Sequence, residues 1–188
     1  MIRVTAKKAC GALLVAMLMV IAGNYGAMAS PFGQGVFSAD VPFGANTSMS
    51  IALTGTVDLA LTDDGNGAFV GDGAHTVTVT VTSTDVVGYR LYVYAPGSAA
   101  LENGSETIPA SSNTNLATLT TDTWGYNTIG STTNFIGITN VPAVINDATG
   151  PHKDSDPTTV TYGVKTSPTK GAGDYTATLV YTAVGKSE

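Results

Sequence analysis

The sequence predicts an all-β protein of two packed antiparallel sheets. The first observation is the run from His75 to Thr82, where Val77, Val79 and Val81 alternate with Thr76, Thr78, Thr80 and Thr82. The second is residues 174–183, where Tyr175, Ala177, Leu179, Tyr181 and Ala183 alternate with Thr176, Thr178 and Thr182. Strict alternation over eight to ten residues marks a half-buried strand, with the apolar set facing the interior. The third is negative: no window after residue 30 carries an apolar stripe of helical period. The fold class is therefore a two-sheet β-sandwich of seven to nine strands, immunoglobulin-like or jelly-roll in type.

Taken in order, the first 29 residues read as a signal peptide. Arg3, Lys7 and Lys8 give a positive start, and residues 10–22 form an uncharged apolar run. Ala27 and Ala29 supply the small residues that precede cleavage before Ser30. The run of about 13 residues is shorter than the roughly 20 a bilayer crossing needs, so no membrane span is expected once the signal is removed. Cys10 stands at the start of the apolar run instead of after it, which argues against a lipoprotein, and Ala16 stands where a pilin-type helix cut after Gly11 wants an acid. Residues 30–188 then form a single domain. Its expected strands, besides the two above, are 36–43, 49–53, 57–61, 89–95, 135–139 and 158–165. Turn clusters separate them, among them Asp63-Asp64-Gly65-Asn66-Gly67, Gly71-Asp72-Gly73 and Pro96-Gly97-Ser98.

Charge narrows the function. Only 12% of the 188 residues are charged, about half the usual share, so threonine must keep the outer faces soluble. Cleavage removes three of the eight basic residues and none of the fourteen acidic ones, leaving a formal charge of −9. Such a chain has no basic patch for nucleic acid. The single Cys leaves with the signal, which excludes a disulfide framework and a thiolate zinc site. A threonine ladder of ice-binding type needs a flat repeat, and only residues 75–84 resemble one.

Few residues carry recognisable chemistry. Asp63, Asp64, Asn66 and Asp72 offer oxygen ligands in a glycine-rich loop, the chemistry of calcium, although the same residue types are turn formers. Asp147, Asp154 and Asp156 lie near His152 in a second such region. His75 and His152 read as surface histidines, and no nucleophile-elbow or other spaced catalytic signature occurs, so no enzyme and no cofactor are expected. Aromatic placement says more. Trp124 reads either as a core anchor between sheets or as a platform for stacking on a sugar ring. Tyr92 and Tyr94 fall on the strand face opposite Leu91 and Val93, beside Arg90, and are candidates for binding.

Several of these segments recur in a familiar order: Gly88-Tyr89-Arg90-Leu91-Tyr92-Val93, Thr123-Trp124-Gly125-Tyr126, Tyr162-Gly163-Val164-Lys165 and the closing Ala172-Gly173-Asp174-Tyr175. Together they resemble secreted bacterial cell-surface proteins in the broad neighbourhood of WxL-domain and fimbrial-subunit-like proteins. The chain departs from the WxL pattern at Tyr126, where a leucine belongs, and at Tyr181, where a second tryptophan belongs. The resemblance implies a non-enzymatic surface protein, structural or adhesive, with a pilus or fibre subunit as one form and a secreted carbohydrate-binding module as the alternative. Its partners would be a cell-wall polymer, a host or neighbouring cell surface, or copies of itself. Secreted protein is predicted to begin at Ser30; N-terminal sequencing that returned Ala12 would instead establish the pilin-type leader.

Overall fold

Alternating valine and threonine build the first central strand, because β-branched side chains fit a pleat and only the valines gain from burial. In the computed structural model, which describes residues 2–9, 48–71, 75–84 and 86–186, this strand is β6 (Thr76–Thr84). Val77, Val79 and Val81 are buried, whereas Thr78, Thr80 and Thr82 are half-exposed. No helix occurs among the described residues.

β6 pairs antiparallel with β2 (Ser48–Thr54) on one side and β14 (Asp156–Thr166) on the other. β14 also pairs with β5 (Phe69–Gly71) and β11 (Thr123–Asn127), and β4 (Leu61–Asp63) follows β5 to end that sheet. The second sheet is centred on β15 (Tyr175–Gly185), flanked by β7 (Gly88–Tyr94) and then β13 (Ala143–Thr149). β8 (Leu101–Asn103) pairs with β15 and carries β9 (Glu106–Ile108). On its other edge β15 pairs with β1 (Ile2–Ala9), which pairs in turn with β3 (Val57–Leu59). Every pairing of these strands is antiparallel except β1 with β15.

Inward residues of the two sheets form one cluster, including Val79, Val160 and Tyr162 from one and Leu91, Val93 and Leu179 from the other. At its centre the hydroxyls of Tyr162 and Tyr181 hydrogen-bond to each other across the interior. Trp124 is fully buried, stacks on Tyr162 with ring centroids 6.5 Å apart, and donates its indole N–H to the Ala99 carbonyl at 2.9 Å.

A third layer covers part of the outer face of the β14 sheet. β10 (Ala117–Thr118) and β12 (Asn134–Phe135) form a two-stranded ribbon there. Two glycines admit it. Gly125 and Gly163 are register partners on β11 and β14; a Cβ at Gly163 would stand 2.2 Å from the Phe135 ring, and one at Gly125 2.4 Å from the Ile136 carbonyl oxygen.

Three expectations need correction. There are fifteen strands among the described residues, of which eight have five residues or more; the surplus over seven to nine is in two- and three-residue pieces. The expected strand 57–61 breaks at Ala60, where the chain leaves the β15 sheet for the other one. The expected strand 135–139 shrinks to β12, because Ile136 instead exchanges backbone hydrogen bonds with Tyr126 and Gly137 donates to Asn113. Residues 2–9, the basic start of the expected signal peptide, are β1 of the full chain. Residues 10–22, the Ala29–Ser30 junction, the expected strand 36–43 and Asp72 lie outside the described residues.

Two tests follow from the packing. Val79→Asp should cost several kcal/mol, about 3 or more, as an unpaired buried charge, whereas Thr78→Lys should stay within about 0.5 kcal/mol. Chemical denaturation of both variants checks the register of β6, and equal tolerance would refute it. Gly163→Ala should destabilise by about 1–3 kcal/mol by pushing Phe135 off the sheet, seen as a lowered Tm and a shifted Phe135 ring signal in NMR.

Candidate binding face

Alternation along β7 places Leu91 and Val93 in the core and turns Arg90, Tyr92 and Tyr94 outward; the sequence sets the two faces apart but not which of them is inward. Both tyrosines are half-exposed. Their register partners on β15 are Thr182 and Val180, and Val144 of β13 lies beside Tyr92. Val144 and Val184 are 50% and 48% exposed, so the face is apolar and aromatic at its centre.

One end of this face is ionic, and a β-bulge sets it up. The register of β13 on β7 shifts between Val144 and Asn146. That extra residue puts Asn146 beside inward-facing Leu91 and Asp147 beside outward-facing Arg90. Asp147 then accepts a hydrogen bond from Arg90 Nε at 3.1 Å and an ion pair from Lys186, whose Nζ also donates to the Ala148 carbonyl at 2.8 Å. The lysine and arginine together hold the Asp147 carboxyl below its ordinary range. The strict period-2 pattern is lost at the bulge, which is why β13 is not recognisable from sequence.

Turned inward, Asn146 joins a polar cluster between the sheets. Its amide reaches the Tyr89 hydroxyl at 3.2 Å, Asp156 at 3.3 Å and the Thr158 hydroxyl at 3.0 Å. Tyr89 donates to Asp156 at 2.6 Å, and burial, reinforced by that carboxylate, raises the phenol well above its usual range. His152 is half-exposed, and its ring packs edge-on against Tyr89 with centroids 5.7 Å apart while Nδ1 lies 3.8 Å from Asp156. Tyr89 is thus held as a donor and Asp156 is occupied as an acceptor. The cluster ties β7, β13 and β14 together.

The other candidates are placed as follows. Trp124 lies in the core and has no face available for a sugar. Asp63 accepts the Gly65 N–H at 2.9 Å, and Asp64 accepts those of Asn66 and Ala68 at 2.8 and 3.0 Å. These bonds, with Lys165 at 3.9 Å, lower the Asp64 pKa and hold the β4–β5 turn. Asp63 and Asp64 thus act as turn acceptors; no group of three His, Cys, Asp or Glu able to hold a metal occurs among the described residues, which do not include Asp72. Asp154 pairs with Lys153 at the surface. A cleft of about 590 Å³, lined by Asp58, Leu61, Phe69, Ile108, Lys170 and Tyr175, opens at the far end of the sheets. Comparison with protein-family models, curated proteins and solved structures finds no match.

Asp147 gives a pH test. Its folded pKa lies below the ordinary aspartate value, so its stabilising contribution is present above that value and is lost as pH falls through the folded pKa. Asp147→Asn should flatten the acid limb of the stability profile, with the difference shrinking in high salt because the pair is exposed.

Proposed function

We propose that the mature chain is a non-enzymatic, secreted bacterial cell-surface protein, structural or adhesive, built as one two-sheet β-sandwich over residues 30–188. The observation that carries this is the Arg90–Tyr92–Tyr94 face, with Val144 and Val184 exposed beside it. Residues two apart on a strand stand about 7 Å apart, so the two rings can cover a polymer chain together. Arg90 and Lys186 both pair with Asp147 and so give the face an ionic rim beside its aromatic centre. Low charge and a cysteine-free mature chain fit secretion. A cell-wall polymer or another cell surface is the partner this reading names, and a fibre subunit is its self-associating form.

Carbohydrate binding is the second reading, favoured by the same tyrosines, since a phenol ring matches the apolar face of a pyranose. Tyr92→Ala/Tyr94→Ala separates these readings from a purely structural one. Co-sedimentation with purified cell-wall polymer should weaken at least tenfold while Tm changes little. Soluble oligosaccharide that competes would favour the carbohydrate module, and unchanged sedimentation would remove this face from the proposal.

A further inference from the structure

The strand position between β15 and β3 is filled by residues 2–9, which the signal-peptide reading removes on secretion. Removal leaves β15 without its neighbour along residues 175–182. β3 then has no partner strand among the described residues, although Val57 and Leu59 are 1% and 0% exposed. The gap is two strand spacings, about 9.5 Å, with unpaired backbone on both sides. An unfilled slot of this kind exposes core and orphans backbone groups, so the mature protein needs another occupant.

We propose that residues 35–42 of the same mature chain take this position, in the direction that β1 runs in the full chain. Positions 2, 4, 6 and 8 lie beside Tyr175, Ala177, Leu179 and Tyr181, all of them buried. Lateral neighbours in a sheet share a face, so the occupant must offer small or apolar residues at alternate positions. Gly35, Phe37, Ala39 and Val41 meet that requirement, and Ser38 and Asp40 fall on the outer face. Phe37 would lie between Ala177 and Val57, a large residue beside a small one. Pro42 falls at the last position of the slot, where a missing N–H costs least.

The connection also fits. Position 9 lies beside Thr182, three residues or about 10 Å short of Gly185, and a Cβ at Gly185 would stand 3.3 Å from the Met49 side chain next to Ser48. The six peptide links from Pro42 to Ser48 span about 20 Å when extended and include the turn formers Gly44 and Asn46. So short a tether holds the segment at an effective concentration in the millimolar range, which favours it over the same segment of a second copy. The inference rests on leader removal and is independent of the Tyr92–Tyr94 face.

The test uses secreted protein whose intact mass shows that it begins at Ser30. The register sets Ser38 beside Thr178 on the outer face, within the Cα range of a disulfide, and the mature chain has no other thiol. Ser38→Cys/Thr178→Cys should close a disulfide within the monomer, with both single variants staying reduced. A disulfide linking two molecules would overturn the inference in favour of strand exchange between copies, and no disulfide at all would overturn it outright. Amide exchange gives a second readout without cysteines. Residues 176–182 should be protected in the mature protein, and Phe37→Asp should speed their exchange at least a hundredfold while Thr78–Val81 stay protected. Fast exchange at 176–182 in the unsubstituted mature protein, or a secreted mass that still contains residues 2–9, would also refute it.

Discussion

The hydrogen bond between Tyr162 and Tyr181 is the interaction on which the interior is arranged. The two phenols come from opposite sheets and meet where no water is needed to satisfy them. Burial raises both pKa values, so both stay protonated and one donates to the other. A single unsatisfied buried hydroxyl costs about 1–3 kcal/mol, so each tyrosine fixes the position of its partner and with it the separation of the sheets. Trp124 fills the remaining width beside Tyr162. Its N–H must also be satisfied, and the Ala99 carbonyl just after the β7 strand does so. The resemblance motifs around Trp124 and Tyr162 are therefore one packing unit, because β11 and β14 place these residues on adjacent strands.

Loops in a chain without disulfides need other ties, and here buried and half-buried amides and a carboxylate supply them. The Asn113 amide donates to the carbonyls of Ala117, Thr118 and Phe135. Asn127 is 1% exposed; it donates to Ser131 and Asn134 carbonyls and accepts the N–H groups of Ile129 and Ser131. Asp122 accepts the Ser167 N–H at 2.8 Å and so ties the start of β11 to the loop after β14. These short polar residues satisfy backbone groups that would otherwise be orphaned beneath the β10–β12 ribbon.

Legibility in the sequence followed how local the determining interaction is. β6 and β15 were readable because alternate burial is written in consecutive residues. The same alternation sets Tyr92 and Tyr94 on the face opposite Leu91 and Val93, but which face is outward depends on the second sheet. β13 was not readable, since a bulge breaks its period, and neither were β5, β8 and β9, which are only three residues each. Gly125 and Gly163 resemble turn glycines until Phe135 is seen lying over Gly163, a contact between residues 28 apart in sequence. Whether Trp124 was core or platform depended on whether Ala99 lay within reach of its N–H. The turn role of Asp63 and Asp64 depends on where the Gly65, Asn66 and Ala68 amides lie, which the residue types alone do not give.

β15 links the proposed binding face and the proposed strand slot. Along one edge it supports β7, and its Val180 and Thr182 stand beside Tyr94 and Tyr92. Its other edge is the side on which a strand must be present to cover residues 175–182. A strand bonded on only one side frays more readily, and fraying of β15 would loosen the residues that set the tyrosine face. Occupancy of the slot and rigidity of the face are thus coupled through a single strand, with no contact between the two regions required. A surface module that completes its own sheet would carry a rigid face at all times. One that waits for a neighbour's strand would become rigid only when assembled, which makes the state of β15 the physical difference between an adhesive monomer and a fibre subunit.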